Sequence, residues 1–143
     1  MEIESGDPRD ELKKIIENYK ISPHSFGLIS GLDEKTVLEF VDYKTELDDL
    51  SHEMIVHIVS IISLLSMGMT HVTPDGRVKA IIEDLNEKFQ ISKETLALYA
   101  KIDEKDIDDF MIDGDSLTFE KRYRLSVVVL FLFKIFSENR KEF

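Results

Sequence analysis

The chain repeats itself. Pro8-Arg9-Asp10-Glu11-Leu12-Lys13-Lys14-Ile15-Ile16-Glu17 returns as Pro74-Asp75-Gly76-Arg77-Val78-Lys79-Ala80-Ile81-Ile82-Glu83, an offset of 66 residues. Ile21-Ser22 and Leu32-Asp33-Glu34-Lys35 return as Ile91-Ser92 and Ile102-Asp103-Glu104-Lys105 at an offset of 70, and Leu50-Ser51 as Leu117-Thr118 at 67. The offset changes only between segments, where helix ends and loops absorb insertions; its first step is about one helical turn. A chain of 143 residues written this way is expected to hold two copies of one helical unit, over residues 7–69 and 73–137. Any function has to be argued for the unit and for its doubling.

Each copy reads as four helices. Asp7-Pro8 and Thr73-Pro74 place a capping side chain before a proline at the first helical position, where the missing N–H costs nothing. Leu12, Ile15, Ile16 and Tyr19 follow at helical spacing, as do Val78, Ile81, Ile82, Leu85 and Phe89. Ser22 and Ser92 cap a short second helix that carries Phe26 and Ile29 in one copy and Leu96, Ala97 and Ala100 in the other. Gly31 ends the first of these, as a C-terminal glycine does. Lys101 replaces it in the second, so that turn must differ or carry strain. Asp33 and Asp103 cap a third helix, with Val37, Phe40, Val41 and Ile107, Phe110, Met111 inward.

Ser51 and Thr118 open a fourth helix, with Glu53 or Glu120 favoured by the dipole in its first turn. Both fourth helices are apolar almost all round, which implies burial on all sides. They are expected to form a shared core within one chain, or a homodimer interface. The run Val127 to Phe133 has strand-like propensity, but its place in the repeat makes it helix. The fold class expected is all-α, with about eight helices in tandem four-helix units joined around residues 68–73. The end beyond Ser137 should fray.

Composition narrows the function. There are no cysteines, which removes disulfides and thiolate metal sites. The acidic start Met1-Glu2-Ile3-Glu4 is unlike a signal peptide, and no apolar run approaches the roughly 20 residues of a membrane span. A soluble cytoplasmic protein is expected. The four histidines do not cluster, and His52 and His57, five apart, do not share a helix face. His57, in an apolar helix, becomes pH-sensitive if buried. No HExxH, glycine-rich phosphate loop or EF-hand pattern is present, so neither enzyme nor cofactor is expected. The net charge is −11, with 6 Lys+Arg against 14 Asp+Glu up to residue 72 and 12 against 15 beyond. Such a field disfavours nucleic acid globally but permits a local basic patch. The best cluster is Lys121, Arg122 and Arg124, joined by Lys88 and Lys93 if folding brings them together; otherwise it is a solubilising helix end.

The second helix, turn and third helix resemble the helix-turn-helix of phage-repressor-like (Cro/repressor, XRE-type) domains. The segment Ile91-Ser92-Lys93-Glu94-Thr95-Leu96-Ala97 keeps the family's Leu-Ala and loses its turn glycine. Ile21-Ser22-Pro23-His24-Ser25-Phe26-Gly27 keeps the glycine, at Gly31, and has Phe-Gly for Leu-Ala. The resemblance implies that the third helix enters the major groove of DNA. By position, the first copy's reading face is Glu34, Lys35, Thr36, Leu38 and Glu39, with His24 and Ser25 toward phosphate and Lys44 adding charge. The second copy's is Glu104, Lys105, Asp106, Asp108 and Asp109, with Lys93 and Thr95 toward phosphate and Asp113 and Asp115 beyond. Readers favour Arg, Lys, Asn and Gln, so an acidic second copy repels a duplex.

Two functions follow from this resemblance. One is a transcription-control protein that contacts DNA through His24, Ser25, Lys35, Thr36, Glu39 and Lys44. The other is an antirepressor-type module that never touches DNA and binds a basic protein through Glu104, Asp106, Asp108, Asp109 and Asp113.

Overall fold

In a computed structural model, residues 6–141 are described. The acidic opening and the last two residues lie outside that range; of the end expected to fray from Ser137, the residues through Asn139 are helical. Eight α-helices and no strand occur among the described residues, and the chain divides between Val72 and Thr73 into two compact units.

In the first unit, α1 spans Pro8–Tyr19, α2 Pro23–Ser30, α3 Glu34–Val41 and α4 His52–Ser63. Each start is fixed by the residue before it. Asp7 accepts the Arg9 backbone N–H, Ser22 that of Ser25, Asp33 that of Thr36 and Ser51 that of Met54. Each such bond satisfies one of the donors a helix start leaves open, and is worth about 1 kcal/mol. α1 packs on α3 and α4, and α2 packs on α3. Leu12, Ile15, Phe26, Val37 and Ile58 are almost wholly buried in one cluster. Burying a side chain of this size stabilises by about 1.5–3 kcal/mol.

The second unit repeats this order. α5 spans Pro74–Phe89, α6 Lys93–Ala100, α7 Glu104–Ile112 and α8 Phe119–Asn139, with a short 3₁₀ turn at Gly114–Ser116. Thr73, Ser92 and Thr118 cap α5, α6 and α8 through their hydroxyls. Leu85, Leu96, Ile107, Leu125 and Val129 form its own cluster, in which α8 meets both α5 and α6. The run from Val127 to Phe133 is helical, because Leu125 and Val129 recur at the helical period on the buried side.

The backbone agrees at matching turns. Lys20 and Gln90 both end their first helix left-handed, at φ 62° and 57°. Gly31 (φ 83°) and Lys101 (φ 58°) both end the second. The lysine therefore adopts the glycine turn and carries its strain, about 1–2 kcal/mol for a side chain in that region.

Several packing expectations fail. Tyr19 and Ile29 are exposed; Ser30 is buried instead, its hydroxyl accepting the Leu32 N–H at 3.3 Å. The fourth helices are not buried all round. Only Ile58 and Ile62 of α4, and Leu125 and Val129 of α8, are buried. The buried residues form two clusters, one per unit, and outward apolar residues of both helices remain in solvent. α4 continues through a π-helical turn at Leu64–Gly68. The Ser66 hydroxyl of that turn donates to Glu11 of α1 at 2.7 Å.

Candidate nucleic-acid interface

The six residues expected to face DNA lie on α2, α3 and the loop after it. His24 and Ser25 are exposed in the first turn of α2. That turn holds no acid, and Ser22 and Ser25 share a hydroxyl hydrogen bond of 2.9 Å. On α3, Lys35 is 85% exposed and reaches Glu39 only at 3.9 Å, one helical turn on. Thr36 and Glu39 are half-buried, and Lys44 is exposed. The Asp33 carboxyl lies below the usual range because its strongest partner is the Thr36 backbone N–H, with the Thr36 hydroxyl next. It therefore stays ionised and holds the start of α3 in place.

Beside this face is a cluster that the sequence did not reveal. The Arg9 guanidinium grips Asp7 through two bonds, at 3.0 and 3.1 Å, and stacks 4.0 Å from the Tyr43 ring centroid. The Tyr43 hydroxyl donates to Asp10. That bond, foremost, raises the Tyr43 pKa, while the Arg9 side chain lowers that of Asp7. The cluster ties the α3–α4 loop to the start of α1. It also removes Arg9 from any role as a free cation.

The equivalent face of the second unit is neutralised from within. Lys93, at the phosphate-facing position of α6, donates to Asp108 of α7 at 2.7 Å. Lys121 of α8 donates to Asp106 at 3.1 Å, and this bond is the main reason the Asp106 carboxyl lies low. Asp106 also accepts the Asp103 N–H at 3.1 Å, and Asp113 caps the next turn by accepting from Asp115. Of the five acids expected to bind a partner, Asp106 and Asp108 are ion-paired, whereas Glu104, Asp109 and Asp113 make no ion pair among the described residues.

The cations that could have made a basic patch are each held by an acid. Lys88 pairs with Asp84, Lys93 with Asp108, Lys121 with Asp106, and Arg124 with Glu120. Arg122 lies 3.5 Å from both Asp75 and Asp115, with its guanidinium 4.6 Å from the Phe119 ring centroid. His57 is exposed, its ring 3.3 Å from the Ile29 carbonyl, so the burial considered for it does not occur.

Among the described residues, no group of three His, Asp or Glu side chains is placed to hold a metal ion, and no helix is long and apolar enough to cross a membrane. No curated protein and no solved structure matches this chain. A family model described as a helix-turn-helix domain matches residues 3–142, nearly the whole sequence. The α2–turn–α3 arrangement, the α6–turn–α7 arrangement and this match agree: the chain belongs to that helix-turn-helix domain family.

Proposed function

We propose that this is a transcription-control protein that contacts DNA through its first unit, with α3 toward the major groove and the start of α2 toward phosphate. The observation that carries this reading is the contrast between the two second helices. The first turn of α2 has no acid, so its positive dipole end can face a phosphate with no carboxylate beside it, although Pro23 lacks an N–H and Ser22 already holds that of Ser25. The first turn of α6 carries Glu94, and its one cation, Lys93, is held by Asp108. On α3, Lys35 is the cation that reaches furthest into solvent, with Thr36 and Glu39 beside it and Lys44 after the helix.

With few cations and an acidic chain, affinity should be modest and its salt dependence shallow, because the slope follows the number of phosphates neutralised. The subtype, phage-repressor-like with an internal duplication, rests on the residue pattern and the matching turns. The alternative, capture of a basic protein by α7 and the residue after it, has Glu104, Asp109 and Asp113 in its favour, but Asp106 and Asp108 already hold lysines of their own unit.

Backbone amide shifts of labelled protein titrated with a mixed-sequence duplex at low salt test this reading. Perturbations are expected over residues 22–44. Perturbations confined to residues 104–113, or none at all, would contradict it.

A further inference from the structure

The outward face of α8 is too apolar for a solvated helix, and its pattern is self-complementary. Phe119, Tyr123 and Phe131 are 82%, 72% and 62% exposed, and Val127, Leu130 and Ile135 are open beside them. At 150–250 Å² per aromatic side chain, the three rings alone leave roughly 300–500 Å² of apolar surface in water. That equals the largest patch on an ordinary monomer. Two such faces pressed together, with the aliphatic residues added, reach the roughly 1,000 Å² a specific interface needs.

Charge supplies the occupant. At 3.6 residues per turn, Glu120, Val127 and Lys134 lie on nearly one line along α8, spaced seven apart. An antiparallel copy of the same helix, centred on Val127, puts Glu120 opposite the partner's Lys134 at both ends. It also sets Tyr123 against the partner's Phe131 on either side of the centre. Both charges are exposed and held only by neighbours one turn away, Glu120 by Arg124 and Lys134 by Glu138. A partner of unrelated sequence has no reason to repeat this order, whereas a second copy does so by symmetry.

We infer that α8 is an isologous dimerisation helix, pairing antiparallel with α8 of a second copy about a twofold axis at Val127. The inference does not depend on DNA binding. It uses none of the residues assigned to the α2–α3 face.

The chain has no cysteine, which permits a direct test. Val127→Cys should cross-link to itself on mild oxidation and give a covalent dimer. Leu98→Cys, at an exposed site on α6, should not. In sedimentation equilibrium the native chain should have twice the monomer mass, and Val127→Lys the monomer mass with unchanged helicity. Glu120→Lys should weaken the dimer, and Glu120→Lys with Lys134→Glu should restore it. A native chain that stays monomeric at high concentration overturns the inference. So does a dimer in which Val127→Cys fails to cross-link.

Discussion

The two units answer the same backbone problem with different residues. Where the first uses Gly31 in a left-handed turn, the second uses Lys101 and bears the strain. Where the first keeps Gly27, because a Cβ there would meet the Leu32 carbonyl oxygen at 2.5 Å, the second holds a buried Ala97. Where the first leaves the start of α2 free of acid, the second fills its equivalent face with carboxylates and spends Lys93 and Lys121 on them. A shared chain path therefore does not imply a shared surface. Core and caps are similar in the two units, and the solvent face is where they part.

The comparison breaks first at the cores. Phe26 and Leu96 occupy equivalent buried positions. Phe26→Ala should cost about 3–5 kcal/mol and Leu96→Ala about 2–5 kcal/mol, read by urea denaturation with helicity as the signal. A cost under 1 kcal/mol at either site would mean that its cluster is not the core described.

The close approach at α2 sharpens the contrast. Gly27→Ala forces the Leu32 carbonyl to move and should cost about 1–3 kcal/mol. The reciprocal Ala97→Gly should cost about 1 kcal/mol through helix propensity and lost burial. Equal effects of both exchanges on the denaturation midpoint would show that the two helix–turn contacts do not differ.

The turn residues should respond in opposite directions. Lys101→Gly relieves the left-handed strain and should stabilise by about 0.5–1 kcal/mol. Gly31→Lys should destabilise by about 1 kcal/mol even though space is open around Gly31, since the cost lies in the backbone and not in a clash. Thermal melts of the two variants check this.

The smallest effect is acid sensitivity. Asp7, Asp33 and Asp106 all lie below the usual carboxylate value of 3.8 in the folded chain. A lowered folded pKa means the stabilisation is complete above the unfolded value. It is lost as pH falls through the folded one, so melting temperature should drop below about pH 4. Asp106→Asn should shallow that drop modestly, because its partner Lys121 is partly exposed and solvent screens the pair. An unchanged acid profile in that variant would remove the Lys121–Asp106 pair from the account.

Much of the fold was legible because helix starts leave local marks. Asp7, Ser22, Asp33, Ser51, Thr73, Ser92, Asp103 and Thr118 each precede a helix, and each was readable from a few adjacent residues. The inner faces were legible where the apolar period was clean, as at Leu12 and Ile15. It failed near helix ends, where Tyr19 and Ile29 point outward and Ser30 points in. The pairing of cations with acids was not legible. Lys93 with Asp108 and Lys121 with Asp106 each join residues fifteen apart on different helices, so neither helical period nor composition brings them together. Nor could apolarity say which side of α4 or α8 would find a neighbour, because a helix apolar all round has no marked face.

Of the two units, the first and not the second is proposed to meet DNA. This proposal is tested most directly by anisotropy of a labelled mixed-sequence duplex titrated with the native chain, Lys35→Glu and Lys105→Glu, each at low and higher salt. Native binding is expected at low salt, weakening with salt at the shallow slope of a few phosphate contacts, with a loss of about 1–3 kcal/mol in Lys35→Glu and little change in Lys105→Glu. No native binding at low salt, where attraction is least screened, would contradict it, as would a loss produced by Lys105→Glu alone.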